Sequence, residues 1–459
     1  MLHRRDALLR LGQFGFGALS LPRLLRAETE GGAARKKQTK RARSCILIYL
    51  WGGPAQQDTF DPKPEAPEGI RSLFAPIATR VPGIFFCEHL PMLAQQADKL
   101  AVIRSLSHEF NDHGQGVYVT ITGQHDAQKV FPRNRRSRRD FPHPGAIVSK
   151  FLASDDLPAA VTLPRPVGHD GVIYSGTHAG FLGPRYDPLE LQPPAEVSEG
   201  PMFCLDPPAG LNRHDLVLRQ GMLHRLEQLQ RRLEGSNVTG FDTSRQQAWN
   251  LLTSPRTWRA FRLDEEPPPL LDRYGRTEFG EAFLLARRLV EAGVRLVTIV
   301  WYYVAPDGNV ANVWDTHGGT PSLGNISGFD MLKRFYCLPA LDRAASALLE
   351  DLHVRGLLQE TLVAMFGEFG RTPQINKTGG REHWGPCQSA VLAGGGIRGG
   401  QLYGVSDRQG GYPIRDPVSP EDLLATIFHT LGVDPATEIN DSEGRPQRIS
   451  QGTPITALF

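Results

Sequence analysis

The segment Cys45-Ile-Leu-Ile-Tyr-Leu-Trp51 is an uninterrupted apolar run that stops at Gly52-Gly53-Pro54. An apolar run of this length, ended by residues that favour turns, is typical of a strand buried on both faces of a sheet. Similar runs recur along the chain at 101–103, 161–163, 295–301, 361–366 and 389–392. The sequence therefore predicts a sheet whose central strands are covered on both sides.

Segments with helical periodicity lie between these runs. One apolar set at helical spacing directly precedes the run 295–301: Phe283, Leu284, Ala286, Leu289 and Val290. A second helix is predicted over 338–352, before the run 361–366. Strands that alternate with helices predict an α/β fold with a largely parallel central sheet and helices on both faces. Stretches 163–208 and 394–417 are rich in Pro and Gly and are predicted to be long loops.

The amino terminus has the features of a targeting segment. Arg4 and Arg5 precede Leu8 and a weakly apolar, Gly-rich stretch that ends near Ala27, which resembles a twin-arginine export signal. We predict an export signal over 1–27, a linker over 28–44 and one domain over 45–459; a plain amphipathic helix is the alternative for the first segment. No apolar run approaches the ~20 residues needed to cross a bilayer. The expected location is periplasmic or extracellular, without a membrane span.

Composition excludes some classes of function. The 51 Lys and Arg residues nearly balance the 49 Asp and Glu residues, so the sequence does not suggest a dominant nucleic-acid surface, and we predict no nucleic-acid partner. The five cysteines are scattered without CxxC pairs, which argues against a cysteine-rich metal site. The sequence leaves the oligomeric state open.

Polar clusters follow the first two apolar runs. In open α/β sheets, ligands collect beyond the carboxyl ends of the strands, so these clusters are the places to look for chemistry. Asp58 and Thr59 lie beyond the glycine turn of the first run, and Asp58 has the chemistry of a cation ligand. His113 belongs to a polar stretch that precedes 117–123, a predicted helix whose positive end would attract an anion.

Two more clusters follow later runs. Asp315 and His317 come after the run 295–301, and Asp and neutral His at close spacing suit zinc, manganese or iron. Glu368 follows the run 361–366. Further along the same cluster are Arg371 and Arg381, which have the geometry to clamp an oxyanion, and His383.

A single His or Asp in a loop is usually a cap, a turn residue or a solvated group. Several of them at one sheet edge support each other. The sequence therefore predicts a site for one or two divalent metal ions and leaves zinc, manganese and calcium open. The predicted ligands are Asp58, Asp315, His317, Glu368 and His383.

Five ordered motifs together resemble one family: Trp51-Gly-Gly…Asp58-Thr-Phe-Asp-Pro-Lys-Pro64, Thr122-Gly123, Trp314-Asp-Thr-His317, Gly367-Glu-Phe-Gly-Arg-Thr-Pro373 and Arg381-Glu-His-Trp384. It is the exported bacterial family catalogued as domain of unknown function 1501, often labelled sulfatase-like. The resemblance implies a three-layer sandwich similar to alkaline phosphatases and sulfatases, which use one or two metals and a hydroxyl-type nucleophile.

Carried over by position, the resemblance implies that Asp58 is the acidic ligand after the first strand and that Asp315 and His317 are paired ligands. Glu368 stands where relatives usually have an Asp, and His383 supplies a remaining ligand. The nucleophile departs from the pattern: His113 occupies the place of the modified Cys or Ser of sulfatases, and the chain has no Cys-x-Pro-x-Arg motif.

Three functions are compatible with these residues. The leading hypothesis is an exported, metal-dependent hydrolase of phosphate or sulfate esters, including those carried by a polysaccharide, with Arg371 and Arg381 neutralising the developing charge. Its nucleophile is His113, Thr59 or a water, and His113 is alternatively a general base or a ligand. A non-catalytic protein that recognises sulfated or phosphorylated polymers is the first rival. The other is a fold whose polar clusters only cap strands, with function in a partner surface.

Overall fold

A computed structural model describes residues 42–125, 135–152, 157–169, 171–192 and 254–459, with short pieces between 212 and 226. The predicted export signal, the linker up to residue 41 and Cys204 lie outside the described residues. Ala42–Phe459 form one compact unit. Within the described residues, no helix combines the length and apolar character needed to cross a membrane.

The central sheet has eight strands: β1 Ser44–Tyr49, β2 Leu100–Leu106, β3 Ala160–Leu163, β4 Leu189–Glu190, β5 Leu296–Val300, β6 Thr361–Phe366, β7 Gln388–Gly394 and β8 Gln401–Tyr403. Their order across the sheet is β8-β2-β7-β6-β1-β5-β3-β4. All neighbours are parallel except β7, which runs antiparallel to both β6 and β2. The predicted, largely parallel sheet is confirmed.

The quoted apolar run forms the middle of this sheet, and every residue of β1 is buried. Ile46 and Ile48 pack into the apolar core on one face, while Leu47 and Tyr49 pack into the core on the other. Because successive side chains of a strand point to opposite faces, a continuous apolar run is what a strand between two helical layers requires. The α/β sandwich predicted from the sequence is confirmed.

Nine described helices have these bounds: α1 Pro91–Ala94, α2 His113–Thr122, α3 Pro144–Phe151, α4 Pro255–Phe261, α5 Pro268–Tyr274, α6 Glu278–Ala292, α7 Gly328–Lys333, α8 Leu338–Val354 and α9 Pro420–Leu431. Helices α6 and α8 pack against each other on one face of the sheet, and α2 and α9 pack on the other. The helices predicted around 283–290 and over 338–352 are confirmed as α6 and α8.

The stretches predicted as long loops contain two edge strands, β4 and β8. Each is only two or three residues long, and an edge strand of that length leaves no clear apolar pattern in the sequence. The remaining strands form two-stranded ladders: Pro76–Ala78 with Phe85–Cys87, Gly168–His169 with Val172–Ile173, Tyr303–Val304 with Val310–Ala311, Gly370–Arg371 with His383–Trp384, Val405–Ser406 with Pro413–Arg415, and Glu438–Asn440 with Pro446–Arg448.

One edge of the sheet collects the predicted site residues. Strands β1, β2, β5 and β6 all end at this edge, and the loops after them hold the polar clusters. Because β7 runs in the opposite direction, it begins at the same edge, and the segment before it brings His383 there. The topology thus gathers five chain segments around one point.

Candidate metal centre

The loop after β1 passes very close to the loop that holds Asp315. Gly52 has a φ of 119°, and a Cβ atom at this position would overlap the backbone of Trp314 and Asp315. The Gly52 N–H donates to Glu368 Oε1 over 2.9 Å. Glycine is therefore required here both by the positive φ and by the close approach of two chain segments.

Three imidazole rings surround the carboxylate of Asp315. The Nε2 atom of His113 lies 3.2 Å from Asp315 Oδ2, and that of His317 lies 3.3 Å from the same oxygen. The Nε2 atom of His383 lies 3.0 Å from Asp315 Oδ1. Residues from the loops after β2 and β5 and from the segment before β7 thus meet at one carboxylate.

The other nitrogen of each ring also has an oxygen partner. Nδ1 lies 2.7 Å from Glu368 Oε1 in His113, 2.8 Å from the Gly318 carbonyl in His317 and 2.9 Å from the Asn111 carbonyl in His383. A carbonyl accepts only, so we assign the Nδ1 protons of His317 and His383 to these bonds. In the neutral rings the Nε2 lone pairs then face Asp315, which is how histidines are held as metal ligands.

The donor set fits a divalent cation. Ligand atoms of His113, Asp315 and His383 all lie within 4.8 Å of one another, and the three residues are half-buried. The side chain of His317 is more open, at 38% exposed. Imidazole nitrogens with a carboxylate oxygen suit zinc and related transition metals. These residues fit the predicted metal ion, and His317 stands beside them as a further nitrogen donor.

Charge is balanced tightly around Asp315. Burial disfavours a charged His113, but hydrogen bonds to Asp315 and Glu368 outweigh it and raise the pKa of His113 to about 9. Burial also works against the ionised Asp315 carboxylate, yet the Arg371 guanidinium and the three histidines hold the pKa of Asp315 well below its usual range. An anionic carboxylate surrounded by nitrogen lone pairs needs a positive partner, and a proton and a metal cation compete for that role.

Glu368 was predicted as a metal ligand, but in the structure its carboxylate contacts Nδ1 of His113, on the side of the ring away from Asp315. It is fully buried, and its Oε1 accepts hydrogen bonds from Gly52 N and His113 Nδ1. Its Oε2 is buried without a hydrogen-bond partner among the described residues. A carboxylate that holds the far nitrogen of a ligating histidine fixes the ring and increases its basicity.

Asp58 was also predicted as a ligand, and the structure pairs it with Arg381 instead. The two side chains are almost fully buried, with Nε to Oδ2 at 2.8 Å and Nη2 to Oδ1 at 3.1 Å. The other donors of Arg381 go to the carbonyls of Ile70, Thr372 and Pro373. Asp58 and Arg381 therefore form a bidentate internal ion pair that is not part of the histidine cluster.

Arg371 reaches the centre, but its donors are engaged within the protein. Its guanidinium donates to Asp315 Oδ1 over 2.7 Å. The remaining bonds go to four backbone carbonyls: Gly52, Gly53, Trp314 and Arg381. The side chain is fully buried. Arg371 thus ties together the loops that build the centre and holds Asp315 in place, rather than offering a free edge to an oxyanion.

The predicted hydroxyl nucleophile lies inside the protein. Thr59 is 1% exposed, and its hydroxyl donates to the Ala55 carbonyl over 2.8 Å. The described cysteines are all buried and unpaired: Cys45, Cys87, Cys337 and Cys387. Burial raises the pKa of Cys45, Cys87 and Cys387 to about 12. None of these groups is placed or ionised as an exposed nucleophile would be.

The helix that was predicted over 117–123 begins four residues earlier, at His113. Asp112 is its N-cap, and its side chain accepts the N–H groups of Gly114 and Gln115. The helix ends at Thr122, and its C-cap, Gly123, has a positive φ of 65°. The positive end of α2 does point to the polar cluster, but Asp112 already satisfies its first free N–H groups.

Several supporting residues were missed by the sequence reasoning. The Asn312 amide donates to Asp315 Oδ2 over 3.4 Å, and the Phe369 ring stacks on His383 with centroids 4.4 Å apart. His108 Nε2 lies 2.6 Å from the Glu368 carbonyl, and burial lowers the pKa of His108 to about 4. Asn111 and His108 lie in the polar stretch before α2. Their contacts here involve the backbone carbonyls of Asn111 and Glu368, and any residue type supplies a carbonyl, so the sequence could not indicate these contacts.

The described fold and site define an α/β protein with a His/Asp centre at one sheet edge. The chain belongs to the family described as "Protein of unknown function (DUF1501)", which matches residues 42–459. No curated protein matches the chain.

Three solved structures illustrate what the fold is similar to. They are the PsFucS1 sulfatase from Pseudoalteromonas sp. (14% identity, TM-score 0.39, 90% of this chain and 72% of that one), the lipoteichoic acid synthase LtaP from Listeria monocytogenes (8%, 0.39, 90% and 88%) and the phosphonate monoester hydrolase SpPMH from Silicibacter pomeroyi (13%, 0.39, 90% and 78%). At these TM-scores the likeness supports no inference about activity.

Proposed function

We propose that this protein is a metal-dependent hydrolase of phosphate or sulfate esters. One observation carries the proposal: three histidines, each with its Nδ1 bonded to an oxygen, direct Nε2 to the two oxygens of Asp315. A cluster of this kind at the carboxyl edge of a parallel sheet lies where α/β proteins bind their ligands. The substrate is an anionic ester, including esters on a polysaccharide.

In this proposal His113, Asp315 and His383 hold the cation, and His317 is a further ligand from the solvent side. Glu368 positions His113, and Arg371 positions Asp315. A divalent cation supplies Lewis acidity, which polarises an ester oxygen and acidifies water. The guanidinium donors of Arg371 and Arg381 are bonded within the protein, and both nitrogens of each ligating ring would be engaged. The cation, when bound, would therefore supply the positive charge for the anionic ester.

A binding protein on the same fold is the second candidate. Its support is the burial of the Thr59 hydroxyl, one of the nucleophiles that the sequence suggested, and the burial of the four described cysteines. Such a protein would hold the metal and recognise a sulfated or phosphorylated polymer without turnover. Metal binding alone is common to both candidates, so turnover is the property that separates them.

We further propose that residues 1–27 direct export by the twin-arginine route and that the domain acts in the periplasm or outside the cell. The proposal rests on Arg4 and Arg5 followed by an apolar, Gly-rich stretch. Replacing both arginines by lysine should abolish export of the full chain, measured by fractionation of the producing cells. Unchanged export of that variant would contradict the twin-arginine route.

The test of the hydrolase combines metal analysis with turnover. Wild-type protein is expected to carry divalent metal and to hydrolyse 4-nitrophenyl phosphate or 4-nitrophenyl sulfate, and a chelator should abolish this activity. His383→Ala and Asp315→Asn should lose metal and activity together, because each removes a donor from the same cluster. His353→Gln is the matched control, since His353 is an exposed histidine on α8.

Two outcomes contradict parts of the proposal. Metal retained in both site variants would remove the histidine cluster as the metal centre. If the variants lose metal but the wild-type protein hydrolyses neither ester, the hydrolase proposal is wrong and the protein is a binding protein. Circular dichroism and thermal unfolding of every variant establish that the loss of metal is not a loss of fold.

A further inference from the structure

A large cavity adjoins the histidine centre. Its volume is about 690 Å³, within the range of small-molecule sites in proteins. Asn312 lines it and also donates to Asp315 Oδ2, so one side chain belongs to both the cavity wall and the centre. We refer to this space, which Arg165, Asn309, Asn312 and Thr320 line, as the Arg165 cavity.

The Arg165 cavity lies at the same sheet edge as the centre. Arg165 follows β3, and Tyr302 follows the neighbouring parallel strand β5. Asn312 belongs to the loop that leads from β5 to Asp315. A molecule whose reacting group contacts the histidines therefore has the space beyond β3 and β5 available for the rest of its structure.

The lining combines apolar residues with neutral polar and basic ones. Amide and hydroxyl side chains come from Gln192, Asn309, Asn312, Thr320 and Ser322. Among the described lining residues there is no Asp or Glu, while Arg165 is present. Amides and hydroxyls suit a ligand that is rich in hydroxyl groups, and a wall without carboxylates favours an anion.

Arg165 is placed to receive that anion. Its guanidinium carbon lies 4.8 Å from the centroid of the Tyr302 ring, a contact that supports the side chain without neutralising its charge. No carboxylate among the described residues pairs with it, and its buried Nε–H has no hydrogen-bond partner there. Arg371 and Arg381, by contrast, are each paired with a carboxylate of the protein, Asp315 and Asp58 respectively.

We infer that the Arg165 cavity binds the non-reacting part of the substrate, and that this part is a sugar bearing a second anionic group, which Arg165 holds. The identity of the reacting group rests on the proposed function, whereas binding in the cavity does not. Arg165 would form a charge-assisted, two-point contact with a phosphate or sulfate. The substrate class is thus narrowed to carbohydrates that carry at least two such groups.

Binding is tested first, with a chelator present so that turnover does not interfere. Glucose 1,6-bisphosphate and the N-sulfated form of glucosamine 6-sulfate are the probes, titrated into the full chain by calorimetry. Arg165→Met should weaken binding about tenfold or more, because one charge-assisted contact is lost. Arg165→Lys should retain part of the affinity, since it keeps the charge and loses the planar fork.

Arg185→Met is the matched control. Arg185 also lies over a tyrosine ring, 5.6 Å from the centroid of Tyr186, but it is exposed and does not line the cavity. Its replacement should leave the binding of both probes unchanged. Comparison of the phosphate probe with the sulfate probe identifies which anion the cavity prefers.

Turnover forms the second arm. In wild-type protein, kcat/KM for glucose 1,6-bisphosphate should exceed that for glucose 6-phosphate. For a sulfatase, kcat/KM for the N-sulfated form of glucosamine 6-sulfate should likewise exceed that for glucosamine 6-sulfate. Arg165→Met should reduce the ratio of the two kcat/KM values about tenfold. Binding that depends on Arg165 without any turnover would contradict the hydrolase alone. Binding that is equally weak, or equally strong, in wild type and Arg165→Met would overturn the cavity inference whatever the turnover.

Discussion

At the scale of single residues, the structure separates the acids that the sequence grouped together. Asp315 faces the three histidines, Glu368 supports one of them from behind, and Asp58 is paired with Arg381. The sequence predicted that acidic residues collect at this edge, because each follows an apolar run. It did not reveal their orientations, which depend on partners hundreds of positions away in the chain.

Glu368 is expected to tune metal affinity rather than create it. Glu368→Gln keeps an oxygen that accepts the His113 Nδ1 proton but removes the negative charge behind the ring. We expect metal affinity to fall about tenfold to a hundredfold, as for other partners of ligating histidines. Competition with a fluorescent chelator measures the affinity, and Glu65→Gln, at an exposed glutamate, is the control.

A complete loss of metal in Glu368→Gln, equal to the loss in His383→Ala, would instead make Glu368 a ligand. An unchanged affinity would remove its supporting role. Thermal unfolding of the same samples separates either result from a general loss of stability.

Asp58 is expected to matter for stability and not for metal. Asp58→Asn leaves the buried Arg381 guanidinium without its counter-ion, which should lower the free energy of unfolding by about 3 kcal/mol or more. The metal content of the folded protein should not change. Urea unfolding and metal analysis of one preparation measure both quantities.

The matched control is Asp272→Asn, which breaks the exposed pair with Arg276. That change should leave the free energy of unfolding almost unchanged, because exposed ion pairs contribute little. Metal lost from folded Asp58→Asn would restore Asp58 to the ligand set that the sequence predicted.

At the scale of secondary-structure elements, the positions of the central strands along the chain were more predictable than the directions in which they run. The long apolar runs gave β1, β5 and β6 closely, since strands buried on both faces must be apolar throughout. The direction of β7 was not predictable, because parallel and antiparallel neighbours have the same local pattern. Yet this reversal is what brings His383 to the site, so the sequence placed His383 near the cluster without a physical reason for its approach.

The cap of α2 is expected to couple helix stability to metal binding. Asp112 caps the helix whose first residue is His113, and Asn111 holds His383 through its carbonyl. Asp112→Ala should lower the free energy of unfolding by about 1 kcal/mol, the usual effect of a lost N-cap, and also weaken metal binding.

Ser419→Ala gives the matched comparison. Ser419 caps α9 through a capping box with Asp422. Its replacement by Ala should also lower the free energy of unfolding by ~1 kcal/mol. The metal affinity of the Ser419→Ala variant should equal that of wild type, because α9 contributes none of the residues assigned to the centre. If both variants bind metal equally well, the position of His113 does not depend on the cap, and the proposed coupling is wrong.

At the scale of the whole molecule, buried histidines away from the metal ligands should make the fold sensitive to acid. Burial lowers the pKa of His143 to about 3 and that of His178 to about 4. An unfolded histidine titrates near 6.5, so below that pH the unfolded chain binds protons that the folded chain excludes. Stability that is fully present above about pH 6.5 is therefore lost as the pH falls towards 4.

His143 allows this effect to be isolated. It is the N-cap of α3, and its Nδ1 accepts the Gly145 N–H over 2.9 Å, a role that an Asn side-chain oxygen also fills. Between pH 7 and pH 5, His143→Asn should lose about 2 kcal/mol less stability than wild type, since one buried neutral histidine costs about 1.4 kcal/mol per pH unit below 6.5. Urea unfolding at both pH values, with a chelator present, measures the difference.

The exposed His353 provides the reference, because its replacement by Asn should leave the pH dependence of stability as it is in wild type. The chelator is necessary, since protons and metal compete for His113 and would add their own pH dependence. An acid-induced loss of stability that is the same in His143→Asn and wild type would mean that His143 accepts a proton in the folded state. The acid sensitivity would then have to arise from other buried groups, of which His108 is the next to replace, because burial also lowers its pKa to about 4.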